Sequence, residues 1–418
     1  MDAQLHAARA AADPHVLRRW RRWLIALLRL PTYHGAPVAA FDAATQLLAR
    51  AVLACGARRV EAASYGAAPH LFAEWEQLPG RPTVLLYAHY DVQPPGVGWR
   101  SPPFAPIIRG ERLYARGAAD DKGPLIALLA AIECWQRAGG LPVNLRLWID
   151  GNEERGGPDL EALFAERGAW LAADGALICD TQGVSGRPSL TYGLRGSLVC
   201  EVEIARPGGD LHAGRYGGGV PNPLEALSGA LAGLFTPAGR GIWGGDAERA
   251  AAIGAAPALI ITGMSGGSVG RGARSSIPTR AEARLTARLV PPQRPDEIAR
   301  ALRSHFRQYT PPGLRLRLAY DGAVPPLLLP PRSIPMRAAD CAVRRVWGAP
   351  PALVRSGGTI GPAALLWNEL GVPLALLGFG QPADAAHAAD ESLHLPTWER
   401  MIQTVVWYLA FSGETSSQ

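Results

Sequence analysis

Lysine is almost absent from this 418-residue sequence, in which Lys122 is the only lysine and arginine supplies every other permanently charged basic side chain. The net charge of +6 at pH 7 is modest for a chain of this length. No long arginine run interleaved with aromatic residues occurs, and such a run is the usual footprint of nucleic-acid binding. We therefore expect no nucleic acid among the partners.

Cysteine and long apolar runs are also scarce. The five cysteines are odd in number and widely spaced, with no Cys-x-x-Cys pair. This excludes a disulfide framework and a thiolate zinc site, and it favours a cytoplasmic protein. The apolar run at 24–30 is too short to span a bilayer. The arginine and tryptophan cluster at 18–23 fits a membrane-surface helix or, more commonly, a solvated helix face, so no membrane partner is expected.

The composition is that of a globular protein, with 48% apolar and 19% charged residues. The length predicts about two or three domains. Short apolar strands at 83–87, 143–149 and 176–179 alternate with helical segments. This order predicts an α/β fold, a three-layer domain in which helices cover a mostly parallel sheet.

The pattern of elements changes near residue 189. Alternating strands, a glycine-rich loop and two helical segments predict a two-layer α+β sandwich that ends near residue 323. After residue 323 the alternation of short apolar strands and helical segments resumes, and it ends in an amphipathic helix at 397–411. We therefore predict a main domain in two parts, 1–188 and 324–418, with an inserted domain at 189–323.

Acidic and imidazole side chains follow the predicted strands at the points where these end. His89 and Asp91 follow the first strand, Glu153 and Glu154 follow the second, and Asp180 follows the third. Ligands of open parallel sheets bind beyond the carboxyl ends of the strands. The sequence therefore predicts that these side chains meet at one edge of the sheet.

The segment 116–123, Arg-Gly-Ala-Ala-Asp-Asp-Lys-Gly, places the carboxylates of Asp120 and Asp121 before a predicted helix. Like charges this close are unfavourable unless a cation neutralises them. Taken alone, the segment fits a metal site and an acidic helix N-cap equally well. Taken with the strand ends, the chain supplies enough ligands for two zinc-like ions about 3.5–4 Å apart that share one carboxylate: His89, Asp120, Glu154, Asp180 and His387.

Two acids beside these candidate ligands have separate predicted roles. Asp91 lies two residues from His89, where it is well placed to accept the second ring N–H and fix the tautomer. Glu153 adjoins Glu154, and neighbours on an extended chain point in opposite directions. Glu153 is then free to take a proton from the attacking water as general base.

Four motifs occur in an order that resembles the M20 metallopeptidase family, which includes carnosinase-type dipeptidases, aminoacylases and succinyl-diaminopimelate desuccinylase. They are Tyr-Ala-His89-Tyr-Asp91, Arg-Gly-Ala-Ala-Asp120-Asp-Lys-Gly, Asp-Gly-Asn-Glu153-Glu154 and His387-x-x-x-Glu391. The resemblance implies that Asp120 bridges two zinc ions, for which manganese or cobalt are alternatives. It further implies that His89 and Asp180 hold one ion, that Glu154 and His387 hold the other, and that the Asp120–Asp121 peptide is cis.

Further motifs are similar to those of the dipeptidase branch: Thr191-Tyr-Gly-Leu-Arg-Gly, Asp210-Leu-His212-x-Gly, Ile277-Pro278, Arg288-Leu-Val-Pro and Arg355-Ser-Gly-Gly-Thr359. By this resemblance, 189–323 is a lid and homodimerisation domain. His212 reaches the partner subunit's site and stabilises the oxyanion. Arg288, Ser275 and Thr359 contact the substrate's carboxylate or nearby backbone, a role that suits an arginine fork.

The sequence thus predicts a dinuclear zinc hydrolase that cleaves dipeptides or short peptides with a free C-terminal carboxylate, using a metal-activated water and Glu153. An N-acyl or N-carbamoyl amino acid amidohydrolase with the same metal site is the alternative. A catalytically silent metal-binding homodimer is a third hypothesis, and it predicts a missing base or ligand, which is not observed here. Departures from the family motifs at 275–276, 359–361 and 388–390 leave every ligand in place and concern the substrate.

Overall fold

The computed structural model describes residues 2–157, 159–244 and 254–414. In these ranges the α-helices are α1 (Asp2–Ala11), α2 (Pro14–Leu28), α3 (Val38–Ala54), α4 (Lys122–Arg137), α5 (Leu160–Leu171), α6 (Ala213–Tyr216), α7 (Pro223–Leu234), α8 (Pro237–Trp243), α9 (Pro295–Gln308), α10 (Ile334–Trp347), α11 (Gly361–Asn368) and α12 (Leu395–Glu414). None of these helices is long and apolar enough to cross a membrane.

The strands of the same ranges are β1 (Arg59–Ser64), β2 (Pro69–Glu74), β3 (Thr83–His89), β4 (Ile107–Arg109), β5 (Arg112–Tyr114), β6 (Asn144–Asp150), β7 (Gly175–Gln182), β8 (Ser189–Leu194), β9 (Gly196–Ala205), β10 (Leu211–His212), β11 (Ala258–Gly266), β12 (Ser276–Ile277), β13 (Arg280–Leu289), β14 (Arg315–Val324), β15 (Leu327–Leu328), β16 (Ala352–Ser356), β17 (Leu374–Gly380) and β18 (Ser392–His394).

The chain divides into two compact units. The first contains the residues up to Tyr192, the segment Leu329–Val354 and the residues from Gly361 onward. The second contains Gly193–Leu328 and the short segment Arg355–Ile360. The sequence-based boundaries at 189 and 323 lie within a few residues of the two main division points, and the segment at 355–360 was not anticipated.

The main sheet of the first unit runs in the order β1-β2-β6-β3-β7-β17-β8. Its central strands β6, β3, β7 and β17 are parallel, whereas β2 pairs with β6, and β8 with β17, in the antiparallel sense. Side chains of β3 alternate between two buried layers, because successive residues of a strand point to opposite faces. The predicted α/β class with a mostly parallel sheet is confirmed.

Helix α4 forms the centre of one layer, and it is buried from Lys122 to Trp135. It packs against β3 and against α1, α2 and α12, so an apolar surface is needed all round the helix. On the opposite face of the sheet, the Trp148 ring contacts Tyr87 and Phe164 of α5. Both faces of the sheet are therefore covered, and its carboxyl edge is left for the functional side chains.

The second unit is an antiparallel sheet in the order β11-β13-β9-β14, with α7 and α9 packed on it. Burial alternates along β9 and β13, as expected for a sheet with one covered face. The covered face contributes Leu198, Val202 and Leu285 to the core. The other face carries charged pairs such as Arg284 with Glu201. This is the predicted α+β arrangement of one sheet and one helical layer.

Candidate dinuclear metal centre

The carboxyl ends of three parallel strands bring the predicted site residues to one edge of the main sheet. His89 ends β3 and lies in register with Asp150, which ends β6. Asp180 lies near the end of β7, the neighbour of β3 on its other side. Because parallel strands end at the same edge, residues from distant parts of the sequence become neighbours there.

Asp120 lies between two imidazoles. Its Oδ1 is 3.2 Å from His89 Nε2, and its Oδ2 is 2.9 Å from His387 Nε2. Asp121 follows through a cis peptide bond, and it begins α4 without a side-chain capping hydrogen bond. Its Oδ2 instead accepts the backbone N–H of His89. The Asp121 side chain therefore does not cap the first turn, although the residue occupies the N-cap position of α4.

Two groups of potential ligands share the Asp120 carboxylate. One contains His89, Asp120 and Asp180, and the other contains Asp120, Glu154 and His387. Within each group the ligand atoms lie within 4.8 Å of one another. These are the five residues that the sequence suggested, and the structure divides them between two groups in the way that the family resemblance implied.

The chemistry of the donor set fits a pair of divalent cations. His89 Nε2 and Glu154 Oε1 are buried polar atoms that face other candidate ligands, Asp120 at 3.2 Å and His387 at 3.3 Å, without a hydrogen bond of good geometry, an unfavourable arrangement unless something binds them. Burial raises the pKa of the Asp180 carboxyl, and the nearby Asp120 carboxylate raises it further. Hydrogen bonds to Asp120 and Glu154 raise the pKa of His387 to about 10. A centre so rich in carboxylates is stabilised by added positive charge.

The candidate base and one candidate ligand occupy a single short turn. Glu153 and Glu154 begin a 3-10 turn, Glu153–Arg155, that follows β6. The Asp91 carboxylate accepts both of their backbone N–H groups, at 3.2 Å from Glu153 and 3.0 Å from Glu154. His89 Nδ1 lies 3.0 Å from the Asp91 backbone oxygen and 3.4 Å from its carboxylate. Asp91 therefore holds the glutamate turn as well as the imidazole.

Glu391 is a buried residue beside the candidate ligands, and the sequence reasoning gave it no role beyond membership of a motif. Its fully buried carboxylate accepts the backbone N–H groups of Gly117, Ala119 and Asp120 at 2.9–3.1 Å. Arg116 donates to the same carboxylate at 2.7 Å. Glu391 thus fixes the loop that presents Asp120. Because Glu391 lies four residues after His387, it also links this loop to the loop that carries His387.

We expect Glu391→Gln to lower the free energy of unfolding by about 3 kcal/mol, because it leaves the buried Arg116 guanidinium without a counter-charge. Chemical denaturation monitored by tryptophan fluorescence measures this loss. Asp340→Asn is the matched control, since it breaks an exposed pair with Arg344 and is expected to cost less than about 1 kcal/mol. Equal losses in the two variants would contradict the proposed role of Glu391.

Lys122 does not enter the ligand groups. Its ammonium group is buried and donates to the backbone oxygens of Leu30, at 2.7 Å, and Leu27, at 3.3 Å, at the C-terminal end of α2. Burial lowers the pKa of Lys122 to about 7. The one lysine of the chain therefore joins the end of α2 to the start of α4.

The second unit contains the four remaining predicted residues. Arg288 donates to the Thr359 hydroxyl at 3.1 Å, and that hydroxyl donates to the Arg195 backbone oxygen at 2.7 Å. His212 is exposed and pairs with Ser276 in the β10–β12 ladder, next to Ser275. Arg288 and Thr359 thus form one pair, and His212 lies on the strand that pairs with β12, which Ser275 directly precedes.

One carboxylate shared by two ligand groups defines the class of the protein as a candidate dinuclear metallohydrolase. The sequence profile of peptidase family M20/M25/M40 matches residues 85–410, and the chain belongs to this family. The family resemblance noted in the sequence is therefore confirmed, and the protein is a peptidase-family enzyme.

Characterised relatives and solved structures resemble most of the chain. A Cys-Gly metallodipeptidase of Candida albicans is 30% identical over 388 residues, which cover 80% of this chain and 80% of that protein. A beta-Ala-His dipeptidase of Mus musculus is 27% identical, with coverage of 84% and 80%. An M20 family metallo-carboxypeptidase of Sulfolobus solfataricus has a TM-score of 0.83 at 25% identity, with coverage of 94% of this chain and 99% of that chain.

Proposed function

We propose that this protein is a metal-dependent dipeptidase that hydrolyses the amide bond of dipeptides or short peptides with a free C-terminal carboxylate. The observation that carries the proposal is the position of Asp120, whose two oxygens face two different imidazoles. The names of the relatives, a Cys-Gly metallodipeptidase and a beta-Ala-His dipeptidase, support a dipeptide substrate.

The candidate site residues of the first unit have distinct tasks in this reaction. The five candidate ligands would hold the cations, whose Lewis acidity would polarise a carbonyl group and lower the pKa of water. Burial raises the pKa of the Glu153 carboxyl, and the neighbouring Glu154 carboxylate raises it further. A glutamate tuned in this way accepts a proton from water and returns it to the leaving amine nitrogen. Asp91 keeps the glutamate turn in place through its two backbone contacts.

We assign Arg288 to bind the free carboxylate of the substrate. This guanidinium is half-buried, burial lowers its pKa, and no carboxylate pairs with it among the residues described. An arginine without an acidic partner is suited to a bidentate contact with a substrate carboxylate. Thr359 orients the guanidinium through the 3.1 Å hydrogen bond, and Ser275 is assigned to the same substrate contact on the family resemblance alone.

Arg288→Gln is expected to raise KM for Cys-Gly and beta-Ala-His by about 10–100-fold, the loss typical of a charge-assisted bidentate contact. The same variant should leave the slower hydrolysis of C-terminally amidated dipeptides unchanged, because these substrates lack the carboxylate. Steady-state kinetics with both substrate sets make this measurement. Arg284→Gln is the matched control, since Arg284 lies on the same strand and pairs with Glu201.

The same kinetics decide the substrate class. Hydrolysis of dipeptides supports the proposal, whereas cleavage of N-acetyl or N-carbamoyl amino acids alone would move the function to an acyl amino acid amidohydrolase with the same metal ligands. A purified, metal-loaded protein without activity on either set would favour the catalytically silent homodimer.

We further propose zinc as the native metal, because histidine and carboxylate ligands suit this ion, with manganese and cobalt as alternatives. Metal analysis of the purified protein is expected to give about two ions per chain, as a shared carboxylate requires. Restoring a chelated sample with each metal in turn identifies the one that supports turnover.

We also propose a homodimer formed through 189–323, with His212 acting in the partner subunit's site. Strand β11 is an edge strand of its sheet, and its exposed Ile260 and Met264 side chains support an interface there. Sedimentation analysis tests the oligomeric state.

We propose a cytoplasmic location because the five cysteines, four buried and one exposed, form no disulfide among the residues described.

A further inference from the structure

His70 is a buried histidine that has no part in the candidate metal centre. It lies in β2, and its side chain is completely shielded from solvent. Strand β2 pairs with β6 up to Leu71 and Ile149, so His70 lies beside the end of β6. The proposed reaction assigns no role to this side chain, although it is next to the turn that carries Glu153.

The two ring nitrogens of His70 contact two different aspartates. Nε2 lies 2.7 Å from Asp159 Oδ2, and Nδ1 lies 3.2 Å from Asp150 Oδ1. Asn152 links the same two acids, because its backbone N–H donates to Asp150 at 2.7 Å and its amide group donates to Asp159 at 3.0 Å. All four side chains are buried.

The two aspartates bracket the glutamate turn. Asp150 is the last residue of β6, and Asp159 directly precedes α5, with Glu153 and Glu154 between them. The turn itself contains no fully buried residue, so its own packing does not fix its position. Besides the two Asp91 contacts to its backbone, it is held at its ends, where Gly151 packs so closely on Pro69 that an added Cβ would lie 2.5 Å from the Pro69 oxygen.

We propose that His70 is a positioning residue for catalysis, whose imidazolium bridges Asp150 and Asp159 and so fixes both ends of the segment that carries the base Glu153. This inference rests on the proposed function. His70 acts through the two aspartates and touches neither the substrate nor the candidate ligands.

The charge balance of the cluster supports a cationic ring. Burial alone would lower the pKa of His70, but the carboxylates of Asp150 and Asp159 raise it to about 9. The Trp148 indole nitrogen lies 3.3 Å from Nδ1, where a neutral ring could accept from it. The Asp150 carboxylate at the same nitrogen favours the protonated form instead, since two buried aspartates need a counter-charge.

The test compares His70→Gln with the wild-type enzyme after both are loaded with zinc. We expect kcat for a dipeptide to fall by about 10–100-fold, similar to the loss that follows removal of a supporting residue around a metal site, while KM stays unchanged and excess zinc keeps the centre fully loaded. Hydrogen exchange of the backbone amides at 150–157 should become at least about tenfold faster, and exchange in α4 should not change. His305→Gln is the matched control, because this second buried histidine bonds a backbone oxygen at 2.7 Å.

Wild-type kcat or wild-type exchange at 150–157 in His70→Gln would overturn the proposal, as would a loss of metal that excess zinc does not restore. If this variant does not fold, Asp159→Asn decides by the same two measurements, because it loosens only one end of the segment. A wild-type enzyme inactive on dipeptides would refute the proposed function, while hydrogen exchange would still test the role of His70.

Discussion

Glu153→Gln is expected to lower kcat by about 10²–10⁴-fold while the protein keeps both metal ions. The amide has the size of the carboxylate but cannot accept the proton of water, so the substitution removes proton transfer and little else. The Asp91 contacts to the turn use backbone N–H groups, and they survive the change. Steady-state kinetics and metal analysis on the same sample separate the two effects.

The control for this experiment is Glu161→Gln, an exposed glutamate in the first turn of α5. It should have wild-type kcat, because it changes the same chemical group outside the site. Activity within about tenfold of wild type in Glu153→Gln would mean that another group takes the proton. A loss of metal in that variant would instead indicate that Glu153 is a ligand.

Asp120→Asn is expected to abolish turnover through loss of metal. The carboxylate presents one oxygen to the His89 group and the other to the His387 group, whereas an amide has only one oxygen to offer. Metal affinity should fall by more than the roughly 10–100-fold that follows removal of an outer hydrogen-bond partner. Metal titration by calorimetry measures the affinity of each site.

Asp42→Asn supplies the comparison for Asp120, since Asp42 is exposed on α3. Its metal stoichiometry and kinetics should match those of the wild type. Full occupancy by both ions in Asp120→Asn would show that Asp120 does not bridge. Loss of a single ion would assign Asp120 to one ligand group only.

Much of the fold follows from local patterns. The strands β3, β6 and β7 are short apolar runs, and their flanking helices have helical periodicity, so the α/β class was predictable. The small sheet of β4, β5 and β18 was not predicted, because its strands are three residues long and β18 lies far from the other two in sequence. Pairing between such distant segments has no local signal in a single sequence.

The candidate site was likewise predictable from the sequence only in part. Three of the five ligand-type residues follow successive predicted strands, which is an unusual pattern: His89, Glu154 and Asp180. Asp120 was found from the pair of adjacent acids that it forms with Asp121, and His387 belongs to the motif that it shares with Glu391. Asp121 was ambiguous, since a helix cap and a metal site use the same residue type. His70 and Glu391 were missed as positioning residues, because a single histidine or glutamate in a sequence carries no information about burial. Only the three-dimensional neighbours of these two side chains reveal what they hold.

The burial of Lys122 has a practical consequence for the study of this enzyme. The single ε-amino group of the chain is enclosed where α2 meets α4. Amine-reactive dyes, cross-linkers and lysine-specific endoproteinases therefore do not reach it in the folded protein. Modification or cleavage at this residue requires the junction to open, and the junction adjoins the loop that presents Asp120. Cleavage by a lysine-specific endoproteinase therefore reports at a single peptide bond on the opening of this junction beside the candidate metal centre, and no labelling mutation is required.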